Sequence, residues 1–231
     1  MGKKNIESPR QESIYISLGL QPVMVRAELA IDRRRLGDLG GVDAVIYSAM
    51  AVEAFPNDFA HMASIFPLDN TGKEVIEIVA AAQILAELEE QRAQPKTKYQ
   101  VLYYILAKTY FPKDNVIWAD CELLMKLRNE LVHPKPENIG LGEGAVRESR
   151  VRKLVHQLRQ RNLIARPQGS EPHDWSFILE DDDHVAVWAV KTAKSIIQFV
   201  ASKAPDSVLR DSYLRPFIDP GYVGSRLWSK G

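Results

Sequence analysis

The chain has 231 residues, of which 45% are hydrophobic, so it is long and apolar enough to form one large or two small domains. Lys plus Arg and Asp plus Glu each count 30, which gives a formal net charge of zero at pH 7. No overall charge therefore attracts the molecule to nucleic acid or to an acidic membrane surface, and any such partner must be bound by a local patch.

Cysteine content and hydropathy indicate the compartment. The single cysteine, Cys121, excludes a disulfide framework within the chain and fits a reducing cytoplasm. We predict that it packs in the core, because it lies on the apolar face of a predicted helix. The N-terminal residues are polar, and the longest apolar run is broken by Ser48 and Glu53 and is too short to span a bilayer. We expect a cytoplasmic protein without membrane contact, whose residues 1–12 form a disordered tail.

Helical periodicity runs through most of the chain. The pattern predicts helices over residues 22–36, 44–66, 70–90 and 98–110. The second of these is apolar on most faces, so we expect it to be central, with Glu53 as its exceptional charged residue. Pro56 removes one backbone hydrogen bond from the same helix.

The segment of residues 117–136 predicts a further central helix, because its apolar arc is much wider than one stripe. Arg128 projects into that arc beside Leu124 and Cys121. A guanidinium cannot lose its charge, so it needs a partner or a polar cleft. Asp114 or Asn115 can cap the start of the helix, and the proline after His133 places this histidine in the last turn or just beyond it.

Residues 134–144 are rich in proline and glycine and predict the main boundary of the chain. We divide the chain there into a helical bundle, residues 13–138, and a C-terminal helical extension, residues 139–231, that packs on it. Residues 145–165 predict a basic amphipathic helix, and acidic residues precede a helix at 185–201. Residues after Ala204 resemble a wrapped tail. The histidines show no metal-ligand spacing, so we predict neither a metal nor another cofactor.

One motif resembles a known family. The heptapeptide from Leu127 to His133, LRNELVH, resembles the Arg-x4-His signature of the HEPN superfamily. The segment AVEAF around Glu53 and the Lys98-Tyr99 pair precede it in a similar order, and the likeness covers about residues 43–137. It implies an all-α, antiparallel HEPN-like helical bundle, here with additional C-terminal helices. It also implies a homodimer in which the Arg-x4-His ends of two subunits share a cleft.

The resemblance further implies a metal-independent endoribonuclease of toxin or defence type, with a possible antitoxin partner. His133 would be the base, because imidazole has a reference pKa of about 6.5. Arg128 would stabilise charge on the phosphoryl oxygens, and Asn129, four residues before His133, would support either group. On an ideal helix Arg128 and His133 stand about 140° apart, so a dimer is expected to complete the site.

The RNA substrate would be held by the basic helix. Its candidate residues are Arg147, Arg150, Arg152, Lys153, Arg159 and Arg161.

A structural interpretation of the same residues stays open. Arg128 and Glu53 are each exceptional in an apolar helix, and they could form a buried ion pair with a purely architectural role. His133 could then simply cap its helix. Under this interpretation the chain is a non-catalytic helical dimerisation or interaction module, and Glu53 supports Arg128 in either case.

Overall fold

A computed structural model describes residues 20–35, 40–65, 73–112, 114–133, 150–164, 179, 183–207 and 209–219. These residues are helical with short connections and contain no strand, which confirms the predicted all-α class. The elements are α1 (Leu20–Arg35), α2 (Gly41–Ile65), α3 (Lys73–Glu90), α4 (Pro95–Ala107), α5 (Val116–Val132), α6 (Arg150–Gln160), α7 (His184–Ala201), a π-helical segment (Arg210–Leu214) and α8 (Arg215–Ile218).

Helix α2 lies at the centre of the described structure. Its buried residues are distributed along its whole length, from Gly41 to Ala63, as expected for a helix that is apolar on most faces. It packs against α1, α3, α4, α5 and α7. Helix α7 is apolar in the same way and packs against α1, α2, α4, α5 and α8. Because α2 contacts both α4 and α5, side chains from these three helices can meet near its midpoint.

The core is rich in aromatic side chains. The ring centroid of Phe55 in α2 lies 6.0–6.5 Å from the ring centroids of Phe59, Tyr99 and Phe217. Phe217 belongs to α8, and Leu214, the residue before the start of α8, is fully buried. The interpretation of the residues after Ala204 as a wrapped tail is therefore wrong for residues 209–218, which are helical and contribute to the core.

Pro56 lies inside α2 and lacks the N–H that would donate to the Val52 carbonyl one turn earlier. The Tyr99 hydroxyl of α4 donates to that carbonyl oxygen instead, at 3.0 Å. Burial raises the pKa of Tyr99 well above its ordinary value, so the phenol remains protonated and able to donate. The hydrogen bond that replaces the missing amide thus fixes the start of α4 against the middle of α2.

The predicted tail, the boundary segment of residues 134–144 and the acidic residues 180–182 lie outside the described residues. Among the helices that the structure describes, none is both long and apolar enough to cross a membrane.

Candidate functional site

Helix α5 carries the residues of the predicted motif, and local interactions define both of its ends. The Asn115 side chain accepts a hydrogen bond of 2.8 Å from the Ile117 amide, as an N-cap does. Trp118, Leu124 and Leu127 are buried on its inner face. At the other end, the amide of His133 donates to the Asn129 carbonyl at 3.0 Å. His133 is thus the C-cap residue, and its side chain is exposed.

Arg128 makes two hydrogen bonds at the exit of α5. Its Nη2 donates to Glu53 Oε2 of α2 at 2.9 Å, and its Nη1 donates to Asn129 Oδ1 at 2.9 Å. The Nε is buried and has no hydrogen-bond partner among the described residues. The Arg128 and Glu53 side chains are 21% and 31% exposed, so the ion pair lies at the edge of the bundle and is reached by solvent. Two of the five guanidinium N–H donors are used in these bonds.

Lys98 of α4 extends this group of charges. Its side chain is only 7% exposed, and its Nζ bonds Asn57 Oδ1 at 3.1 Å and the Glu89 carboxylate of α3. Burial lowers the pKa of Lys98, and the nearby Glu53 carboxylate opposes that shift. In the sequence, the Lys98-Tyr99 pair contributes only to the resemblance. Lys98 was therefore not predicted as a candidate site residue.

A groove with a volume of about 580 Å³ opens between α2 and α3 beside this cluster. Small and apolar side chains form about half of its lining, which also includes Asn57 and Glu89, the two hydrogen-bond partners of Lys98. The lining residues are Asn57, Ala60, His61, Ala63, Ser64, Val79, Ala82, Gln83, Leu85, Ala86 and Glu89.

No family model, curated protein or solved structure matches the chain. The chemistry open to this site therefore follows from its own side chains.

The structure distributes the residues predicted to bind RNA over several environments. Arg147 lies outside the described residues, whereas Arg150, Arg152 and Lys153 are exposed on α6. Arg159 is half-buried. The Arg161 Nε donates to Asp120 Oδ1 of α5 at 2.7 Å, with both side chains about one-third exposed or less.

Arg161 therefore holds the end of α6 against α5. The three exposed cations of α6, Arg150, Arg152 and Lys153, are the members of the predicted set that are best placed to meet a phosphate backbone.

The part of the chain that the structure describes contains neither a reactive thiol nor a cluster of metal ligands. Cys121 is buried, and this burial raises the pKa of its thiol to about 12, so the nucleophilic thiolate is scarce at neutral pH. Within the described ranges, no three His, Cys, Asp or Glu side chains are grouped so that they could hold a metal ion. Among the described residues at the exit of α5, the groups that can act are an imidazole, an amide and a fixed guanidinium.

Proposed function

We propose that the chain is a metal-independent endoribonuclease of toxin or defence type that acts as a homodimer. One observation supports this most: the guanidinium of Arg128 is held by Glu53 and Asn129 near the C-terminal end of α5, and the exposed side chain of His133 lies at the C-cap of the same helix. A base and a fixed cation, here at the same solvent-accessible end of one helix, are the two groups that cleavage of an RNA phosphodiester by its own ribose requires.

His133 acts as the general base in this proposal. It removes the proton of a ribose 2′-OH, and the oxygen attacks the adjacent phosphorus. The bond from phosphorus to the 5′-oxygen of the next nucleotide breaks, and that oxygen takes up a proton as it leaves. The products are a 2′,3′-cyclic phosphate and a free 5′-OH end, so the reaction needs no metal and no other reactant.

Arg128 stabilises the charge that develops on the phosphoryl oxygens. The second N–H of Nη1 and of Nη2, which do not bond Asn129 or Glu53, can make this contact, whereas the Nε–H is buried. Asn129 accepts from Arg128 through Oδ1, so it orients the guanidinium, and its NH₂ group can donate to the same phosphate. A guanidinium that is already held in place loses little freedom when the substrate binds, which favours catalysis.

The proposal includes a dimer for a geometric reason. Arg128 and His133 are five residues apart, which on an ideal helix corresponds to about 140° and about 7.5 Å of rise. One subunit would have difficulty in bringing both groups to a single phosphate. A two-fold axis near the exit of α5 supplies two copies of each, so that the imidazole of one subunit can act with the guanidinium of the other.

Purified protein incubated with RNA in excess chelator tests the activity. We expect cleavage that leaves 2′,3′-cyclic phosphate ends, and loss of cleavage in His133→Ala without a change in the unfolding transition. His61→Ala is the matched control, since His61 is also exposed on a helix but lies in the groove between α2 and α3. Undiminished cleavage by folded His133→Ala protein contradicts the mechanism.

Substrate analogues test the same mechanism from the other side. An RNA with a 2′-O-methyl group at the cleaved position, or the matching DNA, should bind and remain intact, because the attacking hydroxyl is missing. Arg152→Ala and Lys153→Ala should weaken RNA binding and reduce its salt dependence, while the chemical step continues at saturating RNA. Cleavage of the methylated RNA would exclude ribose attack.

Growth of cells that express the chain tests the toxin assignment. Wild-type protein should arrest growth, and His133→Ala protein at the same level should not. Equal growth with both proteins contradicts the assignment to the toxin type, and it leaves the nuclease assay in vitro as a separate result.

A second candidate function is a non-catalytic interaction module, which the ion pair between Arg128 and Glu53 favours because it ties α5 to α2. Under this alternative, Arg128→Ala destabilises the fold strongly, His133→Ala changes neither stability nor partner binding, and no RNA is cleaved. A stable, folded Arg128→Ala protein would count against the architectural role.

A further inference from the structure

We infer that Lys98 is a positioning residue that acts on Arg128 through the Glu53 carboxylate. Arg128 is the cation that stabilises the reacting phosphate in the proposed function, so this inference rests on that function for its catalytic meaning. The structural part of the inference, that Lys98 helps to fix the position of the Arg128 guanidinium, can be measured independently of cleavage.

The placement of Lys98 near Glu53 follows from two contacts and from the spacing of two residues on α2. The Tyr99 hydroxyl bonds the Val52 carbonyl at 3.0 Å and fixes the start of α4 at this turn of α2. The Lys98 Nζ bonds Asn57 Oδ1 at 3.1 Å. Asn57 follows Glu53 by four residues, so the two side chains share one face of α2. The ammonium group therefore lies on the face of α2 from which the Glu53 carboxylate reaches Arg128.

The charges in this cluster alternate in sign across four helices. Glu89 of α3 pairs with Lys98 of α4, and Glu53 of α2 pairs with Arg128 of α5 and is near enough to Lys98 to attract its charge. Two positive and two negative groups make the cluster neutral, which compensates for the burial of the lysine. A carboxylate attracted from two sides has less freedom to turn away from Arg128 than one with a single cationic partner.

A purely structural role for Lys98 makes a different prediction. If the lysine only tied α3 to α4 through Glu89, then Lys98→Gln and Glu89→Gln would lower stability by similar amounts and would leave the reacting groups untouched. If Lys98 positions Arg128, loss of the lysine charge should make the Arg128 guanidinium more mobile. Loss of the Glu89 charge should affect it little, because Glu89 does not contact Glu53 or Arg128 among the bonds of this cluster.

The first test uses the steady-state kinetics of RNA cleavage. For Lys98→Gln we expect kcat to fall about 10-fold or more with KM within about twofold, since a misplacement of about 1 Å can cost up to about 100-fold. Lys98→Arg should recover most of the loss, and Glu89→Gln should keep kcat within about threefold of wild type. An unchanged kcat in folded Lys98→Gln, or equal losses in Lys98→Gln and Glu89→Gln, overturns the inference.

The second test needs no activity and follows the Arg128 Nε–H resonance by ¹H–¹⁵N NMR, assigned through Arg128→Lys. In wild type we expect a narrow, slowly exchanging signal, because this Nε is buried and the guanidinium is held. It should broaden or exchange faster in Lys98→Gln, and it should persist in Lys98→Arg and Glu89→Gln. A signal unaffected by Lys98→Gln overturns the inference, whether or not the protein cleaves RNA.

A double variant covers the case in which Lys98→Gln does not fold. Lys98→Met combined with Glu89→Leu removes both charges of the pair and places an apolar, unbranched side chain at the buried position 98. The NMR and kinetic results expected for this protein are those of Lys98→Gln. If wild-type protein shows no cleavage while the NMR dependence on Lys98 is present, the proposed function fails and the positioning of Arg128 by Lys98 stands.

Discussion

Tyr99→Phe removes the hydroxyl that bonds the Val52 carbonyl, and Pro56→Ala restores the amide that would serve this carbonyl in an uninterrupted helix. The two substitutions should therefore depend on each other. In the wild-type background Tyr99→Phe leaves a buried carbonyl without a partner. In the Pro56→Ala background the amide of residue 56 can donate to the same oxygen.

The magnitude follows from burial at this point. Tyr99 is fully buried and Val52 is 1% exposed, so water cannot replace the lost hydroxyl. A buried group left without a partner costs about 1–3 kcal/mol. We expect Tyr99→Phe to lower the free energy of unfolding by about 2 kcal/mol with Pro56 present and by less than about 1 kcal/mol with Pro56→Ala.

Urea unfolding of the four proteins in this cycle measures the effect, and the thermal midpoint should fall by about 4–8 °C in Tyr99→Phe alone. Tyr104→Phe is the control, because its ring is about half exposed on the same helix, and its effect should stay within about 0.5 kcal/mol. Equal losses for Tyr99→Phe in both backgrounds would refute the assignment of Tyr99 to the orphaned carbonyl.

Three further predictions concern α5. The Cys121 thiol, whose pKa is about 12, should react slowly with a thiol reagent in the native protein and rapidly in denaturant; rapid native reaction would contradict its burial. The hydrogen bond from Lys96 lowers the pKa of Glu122, so this carboxylate stabilises the fold above its ordinary pKa of 4.5 and loses the effect as the pH falls through the lowered value. Glu122→Gln should therefore lower stability by about 0.5–1 kcal/mol at pH 7 and by nearly nothing at the lowest pH at which the protein stays folded, as urea titrations can show; a constant difference would contradict the linkage. Asn115→Ala removes the N-cap of α5, which accepts from the Ile117 amide, and should lower the free energy of unfolding by about 1 kcal/mol. Asn115→Asp should change it very little, because aspartate can also act as an N-cap.

Much of α5 could be predicted because its signals are local. Asn115 stands directly before the apolar arc, and Pro134 directly follows His133, so both ends are defined by neighbours in sequence. The need of Arg128 for a partner followed from its position in the arc. Glu53 was the exceptional charge of another apolar helix, and the structure contains the ion pair between them, with both side chains partly exposed.

Other features depend on which helix lies opposite, and periodicity does not specify this. The pairing of Asp120 with Arg161 joins residues 41 apart, and nothing near Asp120 in the sequence distinguishes this partner from the helix dipole. Lys98 lies in a short aromatic helix where a lysine is ordinarily exposed. Its burial depends on Glu89 and Asn57 from two other helices.

The C-terminal segment was misjudged for a different reason. Its prolines and glycines predict irregular structure, but Pro216 lies in the first turn of α8, a position at which helices tolerate proline. The apolar residues before and after this position then suffice to pack against the bundle, as the buried Leu214 and Phe217 do.

The alternating charges of Glu89, Lys98, Glu53 and Arg128 have a consequence for how related sequences can diverge. Exchange of Glu53 for a neutral residue would leave Lys98 and Arg128 as two like charges without the carboxylate that attracts both. Loss of Lys98 alone or of Arg128 alone would not leave such a repulsion. Homologous chains should therefore change position 53 only together with position 98 or 128, and this covariation should be visible in an alignment even where the surrounding apolar residues have been replaced.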